Sequence, residues 1–102
     1  MNKVLNMLGL AKRAGKVVSG TFLCTKAIKD GSSKLILIAQ DCSPGSKKAV
    51  IDSCNYYSIP FIEYADMELL GKFTGNECRA VVSVNDSNFA KAILDKYSES
   101  SH

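Results

Sequence analysis

Residues 34–45 read KLILIAQDCSPG, and the two halves of the stretch carry opposite instructions. Lys34 to Ala39 is too uniformly apolar for a strand with one wet face, so it is expected as a central strand covered on both sides. The DCSPG that follows is a turn. Ser43 stands as an N-cap and Pro44 at the first helical position, where its missing N–H costs nothing, so a helix is expected from there to about Tyr57. A buried strand passing straight into a capped helix is the unit of a layered α/β fold.

The same alternation extends both ways from this stretch. Towards the N-terminus, Val4, Met7, Leu8, Ala11 and Ala14 recur at three- and four-residue steps, which predicts a helix over 2–14, ended by Gly15. A short extended KVVS (16–19) leads to a second helix, opening at Ser19 to Thr21, where a hydroxyl can cap the free amides, and running to Gly31. On it Leu23, Cys24, Ala27 and Ile28 share the core face, and Phe22, Thr25, Lys26 and Lys29 the opposite one.

Towards the C-terminus, IPFIE (59–63) predicts a short strand, and Asp66 can cap a fourth helix through Leu70. GKFTGNECR (71–79) is expected as a loop and AVVSV (80–84) as another buried strand. Asp86 can cap a last helix whose apolar stripe is Phe89, Ala90, Ile93, Leu94 and Tyr97. The whole predicts one domain over 1–102. Its class is α/β, a three-layer α/β/α sandwich around a small mixed sheet of about four strands, with right-handed crossovers and a disordered tail from about 98 to 102.

At 102 residues, 46% hydrophobic and 23% charged, the chain is long enough for a real core and ordinary for a soluble protein. The opening MNKVLNMLGLA mimics a secretory signal, but Asn6 interrupts the apolar run and Lys12 and Arg13 stand where a small-residue cleavage site belongs. No run reaches membrane-spanning length, so a cytoplasmic protein with no membrane partner is expected. Cys24, Cys42, Cys54 and Cys78 form no C-x-x-C pair and the single histidine is His102, which supports neither zinc nor a disulfide framework. Reduced, mostly buried thiols are expected, with no metal and no cofactor. No long exposed apolar stripe calls for a dimer, so a monomer is expected.

Charge is unevenly distributed. Residues 1–48 carry nine Lys/Arg against two acids, and residues 49–102 carry four against eight, giving +7 and −4. Such segregation points to a polyanionic partner, nucleic acid being the commonest. The stretch GLAKRAGKVVSG (9–20) concentrates the effect in glycines and cations. It is no P-loop, because Leu10 and Val17 occupy the positions of the first glycine and the magnesium-binding hydroxyl, and a helix rather than a strand precedes it. It reads instead as a basic elbow, from which Lys12, Arg13 and Lys16 can converge on the start of the second helix, where free amides already favour an anion. Two placements are open to Phe22. It can fold back over Val17 or Val18 as a hydrophobic staple, the commoner arrangement, or face solvent as a platform for a nucleobase.

The order of LGLAKRAGKVVSG, TKAIKDGSSKLILIAQDCSP, CNYYSIPF and LLGKFTGNECRAVVSV resembles the superfamily of small ribosomal proteins that bind kink-turn RNA, closest to its bacterial YlxQ-like branch. The resemblance implies an α/β/α sandwich recognising a bulged or kinked RNA. In that family a G-x-N-E-x-T-K segment enters the groove beside sheared G·A pairs, and a loop before the last strand covers a flipped-out base. Here the segment is GTFLCTK. Gly20, Thr25 and Lys26 match, while Phe22 and Leu23 replace the Asn and Glu, and neither can hydrogen-bond a base edge. In the loop, Gly71, Lys72 and Gly75 match. Gly75 to Arg79 take the base-covering position, with Arg79 where many relatives have proline.

The reading is a non-enzymatic RNA-binding protein for structured RNA, ribosomal or from another ribonucleoprotein. Lys12, Arg13, Lys16, Lys26, Lys72 and Arg79 would meet phosphates, Gly20 and Gly75 would allow close backbone approach, Phe22 would stack, and Asn76 would sit in the base-covering loop. Two rivals stand beside it. One is an enzyme using Cys42, which lacks a partner base. The other is a protein-interaction or ribosome-bound module with weak RNA affinity of its own.

Overall fold

The computed structural model describes residues 2–100. Its elements, in chain order, are α1 (Lys3–Arg13), β1 (Val17–Ser19), α2 (Thr21–Asp30), β2 (Leu35–Ile38), α3 (Pro44–Tyr56), β3 (Phe61–Glu63), α4 (Met67–Phe73), β4 (Val81–Val84) and α5 (Ser87–Ser100). The four strands form one mixed sheet in the order β1-β4-β2-β3, with β4 antiparallel to both neighbours and β2 parallel to β3.

β2 and β4 lie in the middle of this sheet, and every residue of both is buried. Successive strand side chains point to opposite faces, so two such strands need cover on both sides. α1 packs with α4 and α5, and α2 packs with α3, the two helical layers of the sandwich. A continuous core joins Val4, Leu5 and Leu8 of α1, Ile28 of α2, the β2 and β4 side chains, Leu70 of α4 and Ile93 of α5.

Side chains that can bond the first free amides start most of the helices. Asn2 Oδ1 accepts from Leu5 N at 3.0 Å, Ser43 Oγ from Ser46 N at 3.4 Å, Asp66 Oδ1 from Leu69 N at 2.8 Å and Asp86 Oδ2 from Phe89 N at 3.0 Å. α2 departs from the expectation: Gly20 is its N-cap, with φ 95°, and no side chain caps it. Of the hydroxyls offered for that task between Ser19 and Thr21, that of Ser19 is held by the chain just before β4 instead.

Three further expectations change. Gly71 and Lys72 belong to the last turn of α4 rather than to a loop, since Thr74 closes the helix by bonding back to Leu70 O and Gly71 O. Leu23 leaves the core face and is 47% exposed. It sits about 100° round the helix from Cys24, on the flank of a buried stripe that Cys24, Ala27 and Ile28 centre without it. Residues 98–100, expected as part of a tail, belong to α5, which continues through Ser100. Residues 101 and 102, His102 among them, lie outside the described residues. No helix is long and apolar enough to cross a membrane among the described residues.

Candidate nucleic-acid interface

β1, β2 and β3 run towards one end of the sheet and β4 starts from it, so four connections meet there: the β1–α2 junction, the β2–α3 loop (39–43), the β3–α4 connection (64–66) and the α4–β4 loop (74–80). Backbone bonds on both sides of β4 fix them. Gly20 N donates to Val81 O at 3.0 Å and Ala39 N to Ala80 O at 2.8 Å.

Arg79 ties the α4–β4 loop to the start of α2. Its Nε donates to Ser19 Oγ at 3.1 Å, Nη1 to Cys78 O at 2.9 Å and Nη2 to Asn76 Oδ1 at 2.9 Å. Asn76 Nδ2 in turn donates to Ser19 Oγ at 3.2 Å and to Thr74 O at 3.0 Å. A guanidinium has five N–H groups in a rigid fork, so two are left over for a ligand. Gly75, at φ 77°, turns the loop, and Asn76 N returns to Gly71 O at 2.8 Å. We expect Arg79→Ala to lower stability by about 1–2 kcal/mol, the scale for losing a few partly exposed bonds from a charged donor. Amide exchange at Asn76 and Arg79 should speed up in that variant. Arg79→Lys should not restore protection, because one ammonium cannot span three acceptors; full protection in either variant would show that the loop holds itself.

The same end carries an open helix start. Gly20 offers no capping side chain, so the first amides of α2 remain free for an anion. Phe22, in the first turn, is 80% exposed and has not folded back as a staple. With Thr25, Lys26, Lys29 and Asp30 it lines an open groove of about 430 Å³ along the outer face of α2. Asp30 is the one acid of that groove, and hydrogen bonds from the Ser32 hydroxyl and amide hold its pKa below the usual carboxylate range. Lys72, exposed in the last turn of α4, completes the cations beside the loop.

The structure thus brings Gly20, Phe22, Lys26, Lys72, Gly75, Asn76 and Arg79 to one region. It does not bring Lys12, Arg13 and Lys16 there. Asn85 N donates to Lys16 O at 2.7 Å, so Lys16 stands where β4 ends, whereas Gly20 stands where β4 begins. Four extended residues separate the two, about 13 Å. The expected convergence on α2 fails because β1, extended as expected, holds elbow and helix start apart by that length.

Sequence reading missed Ser19 as the acceptor shared by Asn76 and Arg79, partners 57 and 60 residues away that only the pairing of β1 with β4 brings near. It also missed the β2–α3 loop as a neighbour. The cations nearest that loop are paired, Lys47 with Glu63 at 2.8 Å and Lys48 with Asp52 at 2.8 Å.

Three of the four cysteines are shut away from solvent, and Cys78, in the α4–β4 loop, is exposed and unbridged. Cys24, Cys42 and Cys54 are buried and unbridged, and burial pushes Cys24 up to about 12 and Cys54 to about 11. Cys42, the nucleophile candidate, is only 5% exposed. No group of three or more His, Cys, Asp or Glu side chains is placed to hold a metal among the described residues.

With this geometry in view, the chain matches the ribosomal protein L7Ae/L30e/S12e/Gadd45 family over residues 2–94. It is 43% identical over 88 residues to the RNA-binding protein YlxQ of Bacillus subtilis (strain 168), covering 86% of this chain and 88% of that one. It is 33% identical over 97 residues to the large ribosomal subunit protein eL8 of Cenarchaeum symbiosum (strain A), covering 94% and 77%. Among solved structures, a protein with unknown function from Bacillus halodurans C superposes with a TM-score of 0.92 at 30% identity, over 96% of this chain and 99% of the other.

Proposed function

The chain belongs to the ribosomal protein L7Ae/L30e/S12e/Gadd45 family, and from that membership we propose that it is a non-enzymatic, cytoplasmic RNA-binding protein that seats a kinked or bulged RNA at the start of α2. The observation that carries the reading is the coincidence, at one end of the sheet, of an uncapped helix start, an outward phenyl ring and a loop pinned by Arg79. Free amides and Lys26, Lys72 and Arg79 meet phosphates, Gly20 and Gly75 leave room for the backbone to approach, and Phe22 supplies a stacking surface.

Phe22 and Leu23 set how the RNA is read. Neither donates or accepts a hydrogen bond from its side chain, so these positions read shape and stacking rather than base edges. A well-placed bidentate base contact is worth about 1–3 kcal/mol of discrimination, and this helix start lacks the side chains to make it.

A kink-turn oligoribonucleotide with short arms tests the reading by fluorescence anisotropy. We expect it to bind more tightly than a straight duplex of equal length, with log K falling against log salt at a slope of about −3 to −4, the value for some four phosphates. Replacing the G·A pairs should cost only about tenfold or less, given the missing edge contacts. Equal binding of kinked and straight RNA overturns the reading, and a loss of about a hundredfold or more on replacing the G·A pairs overturns the stacking-led mode.

A second reading has the eL8 similarity in its favour: a ribosome-bound or protein-interaction module with weak RNA affinity of its own. RNase treatment of the purified complex decides between them. It releases the partner if RNA holds the protein and leaves it bound if another protein does.

A further inference from the structure

The cations that β1 keeps away from the start of α2 form a group of their own. Beyond the matched row Val17, Val84 and Leu35, the sheet register continues to Lys16, Asn85 and Lys34. Asn85 N bonds Lys16 O at 2.7 Å, and Lys34 N bonds Val84 O at 2.8 Å. Two interstrand spacings put the Cα atoms of Lys16 and Lys34 about 10 Å apart, one on each side of β4. α1 ends at the same place, since Lys16 N donates to Ala11 O and Gly15 N to Lys12 O, both at 3.0 Å, which brings Lys12 and Arg13 to this edge.

Lys12, Arg13, Lys16 and Lys34 are all exposed. The ion pairs among the described residues, Lys47–Glu63, Lys48–Asp52 and Lys96–Glu99, involve none of them. Asp30, which accepts from Ser32, and Asp86, which caps α5 by accepting from Phe89 N, are near this end, and neither forms an ion pair with these cations. Lys34 Nζ rests on Gly31 O, at the C-terminus of α2. Cations outnumber acids here without being neutralised by them, which is the arrangement that attracts a polyanion.

We propose that Lys12, Arg13, Lys16 and Lys34 form a second phosphate-contacting surface, which takes a flanking duplex arm of the same RNA whose kink seats at the start of α2. The inference rests on the RNA-binding reading above. A kinked RNA sends two arms away from one point, and the protein is only 32 × 28 × 26 Å, so an arm that follows its side reaches the far end of β1. A duplex carries closely spaced phosphates along its whole length, so contact needs charge and reach but no particular sequence.

Salt titrations of anisotropy test this with two probes, the short-arm kink-turn RNA and the same kink with one or the other arm lengthened. For the wild-type protein, one of the long-arm RNAs should show a slope steeper by about 2–3 than the short-arm RNA, the increment for three phosphates. In Lys12→Ala/Arg13→Ala/Lys16→Ala that increment should disappear while the melting temperature stays the same, the replaced side chains being exposed. Equal slopes for all probes with the wild-type protein, or an increment kept in the triple variant, overturn the inference while leaving the reading at α2 intact. Failure of every probe to bind overturns both. Recruitment of a separate labelled duplex by the short-arm complex, with no increment from lengthened arms, overturns the assignment to the same RNA molecule.

Discussion

Gly71→Ala is expected to lower the melting temperature by roughly 10–20 °C. A Cβ on Gly71 would lie 2.5 Å from Cys78 Cα, 2.6 Å from Cys78 N and 2.7 Å from the Glu77 carbonyl carbon. All three are backbone atoms, so no side chain can rotate away, and one partner must move. The loop cannot yield freely: Arg79 N is bonded to Met67 O at 2.9 Å and Asn76 N to Gly71 O at 2.8 Å, while Ala80 O accepts from Ala39 N and Val81 O from Gly20 N. Forcing a methyl group into such a contact costs about 2–3 kcal/mol, and each kcal/mol is worth some 4–8 °C in a domain of this size. Alanine's better helix propensity returns less than about 1 kcal/mol of that. Gly9 of α1 is the control, because a Cβ there meets nothing nearer than Phe73 Cδ1 at 3.7 Å. Gly9→Ala should leave the melting temperature unchanged or raise it by a few degrees, the ordinary gain of alanine over glycine within a helix. A Gly71→Ala protein melting within about 2 °C of wild type would mean that the loop rides less closely on α4 than drawn.

That contact also shows where sequence reading stops. The caps at Ser43, Asp66 and Asp86 were legible because a cap is a local event, a side chain bonding an amide three residues on. The buried runs of β2 and β4 were legible because two-sided cover leaves no polar residue to hide the pattern, Ser83 being the exception and bonded to Ser33 and Asn85. Gly71 read as the start of a loop because glycine usually ends helices, whereas here it stays inside one so that a later segment can lie against it. A cap was expected from a hydroxyl between Ser19 and Thr21 because capping is local, whereas the actual partners of Ser19 arrive from the α4–β4 loop. The basic elbow failed for the converse reason. Lys16 and Gly20 are close in sequence and far apart in space, since an extended strand gains about 3.3 Å per residue where a helix gains 1.5 Å.

Phe22→Ala is expected to weaken RNA binding by about 5- to 150-fold with no loss of stability. The ring is 80% exposed and absent from the core, so removing it uncovers little and leaves no cavity. What it loses is the flat apolar face beside Lys26 and Lys29 on the groove of α2. Stacking of a base on such a face is worth about 1–3 kcal/mol, which sets the expected range. The salt slope should hardly change, because no phosphate contact goes with the ring. Phe22→Leu separates stacking from simple burial: leucine can wedge against a base but presents no π-face, so it should fall near alanine, while Phe22→Tyr should stay near wild type. If leucine binds as well as phenylalanine, the position acts as an apolar wedge and not as a platform. If alanine does, the base contacts lie elsewhere on this end of the sheet, with the loop held by Arg79 next in line.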